Sequence, residues 1–193
     1  MSIGRRLAGC VMIAGLTVAC ARTVVVNTGE TPPRTATTAS TQPTGRVDPN
    51  LVDAHAYYMT SDSLKGYYFT TPSGKWSCAI LPRSQAGCQA ASGSQTISIP
   101  GAPDTVQGPN GAVAPNAIAV GDGGDPGFTW LDRPGFSLKT GKPLVLDFGK
   151  TLAAAGFRCN VQEAGISCED EMTQKGFAFS ATGYVPHYTP VPG

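Results

Sequence analysis

Phe69-Thr70-Thr71-Pro72-Ser73-Gly74-Lys75-Trp76-Ser77-Cys78-Ala79-Ile80, followed after a short loop by Gly87-Cys88, is the stretch that decides the fold. A second stretch, Phe148 to Cys168, follows the same plan near the other end of the chain. Trp76 and Phe157 each stand two residues before a cysteine, and Ile80 and Val161 each stand two residues after it. Both stretches then turn through a glycine and close on a second cysteine. Alternation of this kind places Trp76, Cys78 and Ile80 on one face of a strand, with the intervening residues on the other.

The later copy predicts its own pairing. With Glu163 and Ala164 as the turn, Gln162 faces Gly165, Val161 faces Ile166 and Cys159 faces Cys168. That register sets the cysteines opposite one another at a non-hydrogen-bonded site, where side chains approach most closely. Cys78 and Cys88 flank a longer loop with Pro82 and Gly87, and the same local pairing is expected there. A disulfide closing about ten residues contributes roughly 2.5–3 kcal/mol by the loop-entropy argument. Four thiolates on one zinc would need two close Cys-x₂₋₄-Cys pairs, a spacing neither stretch has. Further offsets agree between the copies. Ile97 and Ile99 lie nine and eleven residues past Cys88, as Phe177 and Phe179 do past Cys168, and Phe69 and Phe148 precede the first cysteines by nine and eleven. Two copies of one strand–hairpin–strand unit are the expectation.

Ahead of this framework the chain reads as an address. Arg5 and Arg6 precede an apolar run from Leu7 to Val18, twelve residues long. A helix of that length reaches only about 18 Å, short of a ~30 Å hydrocarbon core. Leu16-Thr17-Val18-Ala19-Cys20 then resembles a bacterial lipoprotein signal, in which the cysteine is acylated and becomes the new N-terminus. Leu7-Ala8-Gly9-Cys10 fits the letters more closely but has no apolar core before it, so residues 1–20 are read as the signal and Cys20 as the lipidation site. An ordinary cleaved signal is the alternative. Ala21 to Arg46 is rich in Thr, Pro, Ala and Ser and is expected to be a disordered tether. Its root-mean-square reach, on the order of 25–30 Å, would hold the domain clear of the lipid headgroups.

Composition supports a β domain over residues 47–185. Charged residues make up 14% of the chain, and its 24 Gly and 16 Pro suit short strands joined by turns. From Val47 onward nine Lys/Arg stand against twelve Asp/Glu, and no basic stripe exists to follow a phosphate backbone. Nucleic acid is therefore not an expected partner. Asp48-Pro49 predicts one short helix, with Leu51, Val52, His55 and Tyr58 on its apolar face and its end near Met59. Strands are expected at Tyr67–Thr70, Trp76–Ile80, Thr96–Ile99, Ala117–Val120, Phe128–Leu131, Phe136–Leu138, Leu144–Phe148, Phe157–Val161, Ile166–Glu169 and Phe177–Phe179. Leu144–Phe148, the most hydrophobic, is expected to be central. Residues 186–193 read as an extended tail.

Few constellations carry chemistry. The two histidines are His55 and His187, no Gly-x-Ser-x-Gly turn accompanies Ser73 or Asp62, and pairing leaves no nucleophilic cysteine in the domain. Asp122-Gly123-Gly124-Asp125 lacks the further oxygen ligands and closing Glu of a calcium loop and reads as a β-turn. Glu169-Asp170-Glu171 reads as a solvated strand end. Asp104, Asp132 and Asp147 cannot be paired across a cleft from sequence. No metal or cofactor is expected. Tyr57, Tyr58, Tyr67 and Trp130 are the candidate binding aromatics; Tyr68 and Trp76 have the same chemistry, but a tryptophan beside a cystine is better explained by core packing.

Phe69-x-x-Pro72-Ser73-Gly74-x-Trp76-x-Cys78-Ala79-Ile80 with Gly87-Cys88, and Phe148-Gly149, Phe157-x-Cys159, Gly165-Ile166-x-Cys168 and Gly176-Phe177, resemble motifs of uncharacterised lipoproteins and secreted proteins of mycobacteria and related actinobacteria. The resemblance spans residues 67–184 and implies a cell-envelope address and a β-rich cystine fold, with no reaction attached. The whole reading is a mainly β, antiparallel sandwich or barrel with two disulfide-closed hairpins, lipid-anchored on the outer face of the cytoplasmic membrane. It would act as a non-enzymatic binding module for an envelope protein, glycan or lipid. A small cell-wall hydrolase and a structural assembly partner are the alternatives.

Overall fold

The computed structural model describes residues 48–61, 64–91, 96–121 and 123–192. The signal, Cys20, the tether and Asp62 and Asp122 lie outside them. In chain order the strands are β1 (Tyr58–Ser61), β2 (Leu64–Thr70), β3 (Trp76–Leu81), β4 (Gln85–Ala90), β5 (Val106–Gly108), β6 (Gly111–Val113) and β7 (Ala117–Gly121). They continue as β8 (Gly127–Thr129), β9 (Leu144–Val145), β10 (Lys150–Ala154), β11 (Phe157–Gln162), β12 (Gly165–Asp170), β13 (Gly176–Ser180) and β14 (Gly183–Val185).

Among the described residues these form two main sheets. One runs β1-β2-β3-β4-β7-β8, with β9 added parallel to β2, and the other runs β10-β11-β12-β13-β14; β5 and β6 make a separate hairpin. The inward faces share one core that takes Phe69, Cys78, Ile80, Cys88 and Ile118 from the first sheet and Leu152, Cys159, Val161, Cys168 and Phe177 from the second. The domain is therefore a sandwich rather than a barrel.

Both cystines form as the cysteine spacing predicts, Cys78–Cys88 and Cys159–Cys168. Each has a Cα–Cα distance of 4.1 Å, that of closely approaching non-hydrogen-bonded partners. The register Cys159↔Cys168, Val161↔Ile166, Gln162↔Gly165 is the one read from the turn. In the first hairpin Leu81 faces Gln85 and Cys78 faces Cys88, so Gly87 lies inside β4 and not in the loop.

The two copies are real, but their outer members differ from those the offsets suggested. One row across the first sheet runs Phe69, Cys78, Cys88, Ile118, and the matching row across the second runs Leu152, Cys159, Cys168, Phe177. Leu152 thus replaces Phe148, which is 50% exposed in the turn before β10. Ile118 replaces Ile97. The segment between β4 and β7 carries the β5–β6 hairpin as an insertion, and Ile97 within it is no strand residue, although it packs into the core and its N–H donates to Pro115 O at 2.8 Å. An insertion between paired strands leaves the pairing intact while it destroys equal spacing along the chain.

Two other expectations change. The helix shrinks to a 3₁₀ turn, Ala54–Tyr57, capped by Asp53 Oδ1, which accepts from His55 N–H at 3.0 Å. Residues 50–52 are taken into the edge beside β10 instead: Thr151 N–H donates to Asn50 O at 2.8 Å and Val52 N–H to Thr151 O at 3.0 Å. Tyr58, at the other end, pairs with Tyr67 in β2. β-branched and aromatic residues gain little from a helix, and the sheet edges compete for the same backbone groups. Leu144–Phe148 supplies only the two-residue edge strand β9, with Leu144 and Val145 exposed and Leu146 turned into the core.

Neither sheet leaves its outer face open. Over the first sheet the segment 131–143 drops Phe136 onto Tyr68, Ala79, Leu81 and Ala117, with Met59, Leu131 and Leu138 at the margin. Gln89 clamps it, accepting from Phe136 N–H at 3.0 Å and donating to Ser137 Oγ at 3.0 Å. Phe136 to Leu138 is thus a covering strap and no strand. Gly87 makes room beneath it: a Cβ there would stand 2.5 Å from the Phe136 ring and 2.4 Å from Ile118 O.

Candidate functional site

Alternation along β11 and β12 sends Cys159, Val161, Ile166 and Cys168 into the core and leaves Arg158, Asn160, Gln162, Ser167 and Glu169 on the opposite face. The C-terminal segment returns across that face as a second strap. Asn160, fully buried, donates from Nδ2 to Tyr188 Oη and to Thr189 O, each at 2.9 Å. Gln162 Nε2 donates to Asn160 Oδ1 and Thr189 O at 3.0 Å. Thr189 N–H donates to Ser167 Oγ at 2.8 Å, and Ser167 in turn donates to Phe177 O at 2.8 Å. Buried polar groups keep their hydrogen bonds in this way. Burial pushes the Tyr188 phenol up in pKa, and the hydrogen bond from Asn160 pulls against it. The tail read as merely extended is therefore built in.

Between this strap and the two hairpin turns lies an open groove of about 360 Å³, lined by Gln162, Gly165, Ser167, Ser180, Thr182 and Tyr184 among others. The β11–β12 turn supplies one wall and the β13–β14 turn another. Ser180 and Thr182 hydroxyls sit 2.8 Å apart, and Thr182 N–H donates to Ser180 Oγ at 3.1 Å. Tyr184 fixes the far side: its hydroxyl donates to Pro126 O at 2.7 Å and its ring meets Phe128 at 4.8 Å. Burial raises its pKa. The lining offers hydroxyl, amide and apolar atoms and no carboxylate, imidazole, ammonium or guanidinium. Such a surface can hydrogen-bond an uncharged polar ligand. It has no partner pair with which to move a proton at neutral pH.

The acidic cluster at the far end of β12 is accounted for internally. Arg158 Nη2 reaches Glu171 Oε1 at 2.6 Å and Arg158 Nε lies 3.5 Å from Glu169 Oε1. Asp170 Oδ1 accepts from Met172 and Thr173 N–H at 2.8 and 3.3 Å and so closes the β12–β13 turn. The Glu171 carboxylate holds the Arg158 guanidinium above its ordinary pKa, while burial pushes Glu169 up against the pull of Arg158. Asp125, half of the read β-turn, accepts from Lys175 Nζ at 2.8 Å, and Gly124 N–H donates to Gly121 O at 3.2 Å in that turn.

A search of protein-family models, curated proteins and solved structures finds no match to this chain.

The four candidate aromatics do not converge. Tyr58 and Tyr67 meet edge to face at 5.2 Å across β1 and β2. Tyr57 is buried, its hydroxyl donating to Val145 O at 3.2 Å, with burial and the nearby Asp147 charge raising its pKa. Trp130 follows β8, at the opposite edge of the same sheet from β1. It is positioned by the Asn116 amide, which donates to Leu131 O at 2.8 Å and accepts from Leu131 N–H at 2.7 Å. Trp76 packs edge to face on Phe179 at 4.6 Å and joins the two sheets, as core packing required. His55 and His187 are both exposed, and one sits in the 3₁₀ turn while the other sits in the strap. No group of three or more His, Cys, Asp or Glu suited to a metal ion occurs among the described residues, and no helix among them is long and apolar enough to cross a membrane. Asn160, Gln162, Ser180 and Thr182 were not marked by the sequence motifs. For Asn160, Gln162 and Ser180 the signal was the outward phase of strands whose inward phase was already read, whereas Thr182 lies in the β13–β14 turn.

Proposed function

We propose that this chain is a cell-envelope lipoprotein, anchored through acylated Cys20 on the outer face of the cytoplasmic membrane, whose sandwich acts as a non-enzymatic binding module. The resemblance of its cysteine-centred motifs to actinobacterial lipoproteins supports the address, as does Leu16-Thr17-Val18-Ala19-Cys20. The groove carries the binding reading. Its hydroxyl and amide lining suits an uncharged, hydroxyl-rich or amide-rich ligand such as a neutral glycan or a peptide backbone. The hydrolase alternative draws no support from it, because the lining supplies neither an acid–base pair nor an activated nucleophile.

The test is a nuclear magnetic resonance titration of the full chain with uncharged oligosaccharides and short peptides. Backbone shifts should move at Ser180, Thr182 and Gly183 and stay fixed around Tyr58 and Tyr67, at the opposite edge of the first sheet from β8. Shifts confined to other surfaces would reject the groove, and cleavage of an oligosaccharide during the titration would turn the reading toward a hydrolase.

A further inference from the structure

Large apolar side chains left in solvent are not scattered over this domain. Of the eight exposed ones among the described residues, Leu51, Tyr58, Leu64, Leu144, Val145 and Phe148 lie along the β1–β9 edge and the neighbouring β10 edge. Met172 and Val185 lie elsewhere. The chain itself ties the strip together. Leu51 bridges Thr151 of β10, Tyr57 Oη reaches Val145 O at 3.2 Å, and Leu144 pairs with Phe69 at the rim of β2. Leu51, Tyr58, Leu144, Val145 and Phe148 are each 40–50% exposed. Monomeric proteins rarely gather so many such residues on one rim without a partner for them.

The charges of the segments that form the strip nearly balance. By sequence Lys65, Lys142 and Lys150 stand against Asp48, Asp53, Asp62 and Asp147, and Lys150 Nζ donates to Pro49 O at 3.0 Å. A nearly neutral rim does not select an acidic or a basic macromolecule. It fits a surface that takes apolar side chains and tolerates either sign. The chain also reaches the described domain at Asp48, three residues before Leu51 and inside this same strip. On the reading that Cys20 is acylated, only the 27 residues Ala21 to Val47 separate the strip from the bilayer. A linker of that length spans on the order of 25–30 Å as a random coil and at most about 90 Å when fully extended, so neither figure fixes a stand-off from the lipid. A tether that short keeps the strip at high effective concentration over the lipid, so a weak apolar contact suffices.

We propose that the strip formed by Leu51, Tyr58, Leu144, Val145 and Phe148 docks on the bilayer that holds the anchor, seating these side chains at the boundary of headgroups and acyl chains. Docking turns the sandwich edge-on to the membrane. The groove lining comes mostly from β12, β13 and the β13–β14 turn, with Gln162 of β11 as its nearest point to β10, and its side formed by residues 182–185 stays open to the envelope space.

The test uses the full acylated chain in phosphatidylethanolamine–phosphatidylglycerol vesicles whose acyl chains carry bromine, a short-range quencher of tryptophan. Phe148→Trp places a reporter in the strip, and Met172→Trp places one at an 87% exposed site on the β12–β13 turn. Trp76 and Trp130 give the same background in both. The emission added by Phe148→Trp should lose roughly half its intensity, as expected for a ring a few ångströms into the boundary, and that added by Met172→Trp should be unchanged. Removing the phosphatidylglycerol should not alter the result, because the rim is nearly neutral. Acylated protein with no quenching at either position overturns docking and leaves the anchor standing. Mass spectrometry showing Cys20 without lipid removes the anchor and the docking together. A dimer in detergent that shields Phe148→Trp, with no quenching in vesicles, assigns the strip to a second copy and also overturns the proposal.

Discussion

At the scale of single residues, two positions show packing and charge working against what their residue types suggest. Gly87 sits in a paired strand, where glycine usually weakens the sheet, and it is there because Phe136 lies on the backbone at that point. Any side chain would meet the ring or Ile118 O within about 2.5 Å. Gly87→Ala should therefore cost about 1–3 kcal/mol, the range for forcing atoms into a filled site, and denaturant unfolding will measure it; an unchanged midpoint would show that the strap over the first sheet is loose. Glu169 gives the second case. Burial raises its pKa in the folded chain above the ordinary glutamate value, with Arg158 opposing. The folded state then holds the proton more tightly than the unfolded one. The group's stabilising contribution is complete below about pH 4 and is lost as pH rises through the raised value. Glu169→Gln removes that loss, so the variant's stability at pH 7, relative to pH 4, should exceed the wild type's. Thermal melts at the two pH values decide it, and parallel curves would refute it.

At the scale of elements, the unit of this fold is a four-member row across a sheet: an apolar residue, two cysteines and a second apolar residue. The cysteines and their immediate neighbours were legible because a hairpin fixes its partners locally; once Glu163 and Ala164 turn, Cys159 must face Cys168. The outer members were not. Ile118 reaches its place beside Cys88 only after a long insertion, and Leu152 takes the place assigned to Phe148 because the chain makes a turn at Asp147–Lys150. β1 was missed for a related reason: Tyr58 can serve a helical face or a strand, and the open edge of β2 decides between them. The groove was hidden more deeply, since it depends on where two turns and a strap end up together. Equivalent rows imply equivalent cystines. Replacing Cys78 and Cys88 by alanine, or Cys159 and Cys168, should each lower stability by roughly 2–3 kcal/mol, because both close loops of about ten residues. Non-reducing peptide mapping should find 78–88 and 159–168, and crossed pairs or strongly unequal costs would refute the equivalence.

At the scale of the whole molecule, the two sheets solve the same problem by different means. Each has a buried inner face, and each borrows a stretch of irregular chain to cover an outer face that is apolar in the first sheet and polar in the second. The first cover is anchored by an aromatic ring, Phe136, and by the Gln89 amide. The second is anchored almost wholly by hydrogen bonds, through Asn160, Gln162 and Ser167 to Tyr188 and Thr189. Hydrogen bonds exchanged with water give only about 1 kcal/mol each, and ordering the strap residues offsets part of that sum. The second cover should then be the looser of the two, and its removal tolerable. Gly176 indicates how closely it still packs, for a Cβ there would stand 3.0 Å from the Tyr188 Cβ. Truncation after Val185 should lower stability by about 1–3 kcal/mol without unfolding the sandwich, because water can reach Asn160 and replace its lost partners. It should also change ligand binding, since Thr189 forms one wall of the groove. Denaturant unfolding and the oligosaccharide titration, run on the same truncated chain, separate the two effects. Loss of binding with a folded domain would make the strap part of the recognition surface, whereas unchanged stability would show that the hydrogen bonds to Asn160 do not hold it in place.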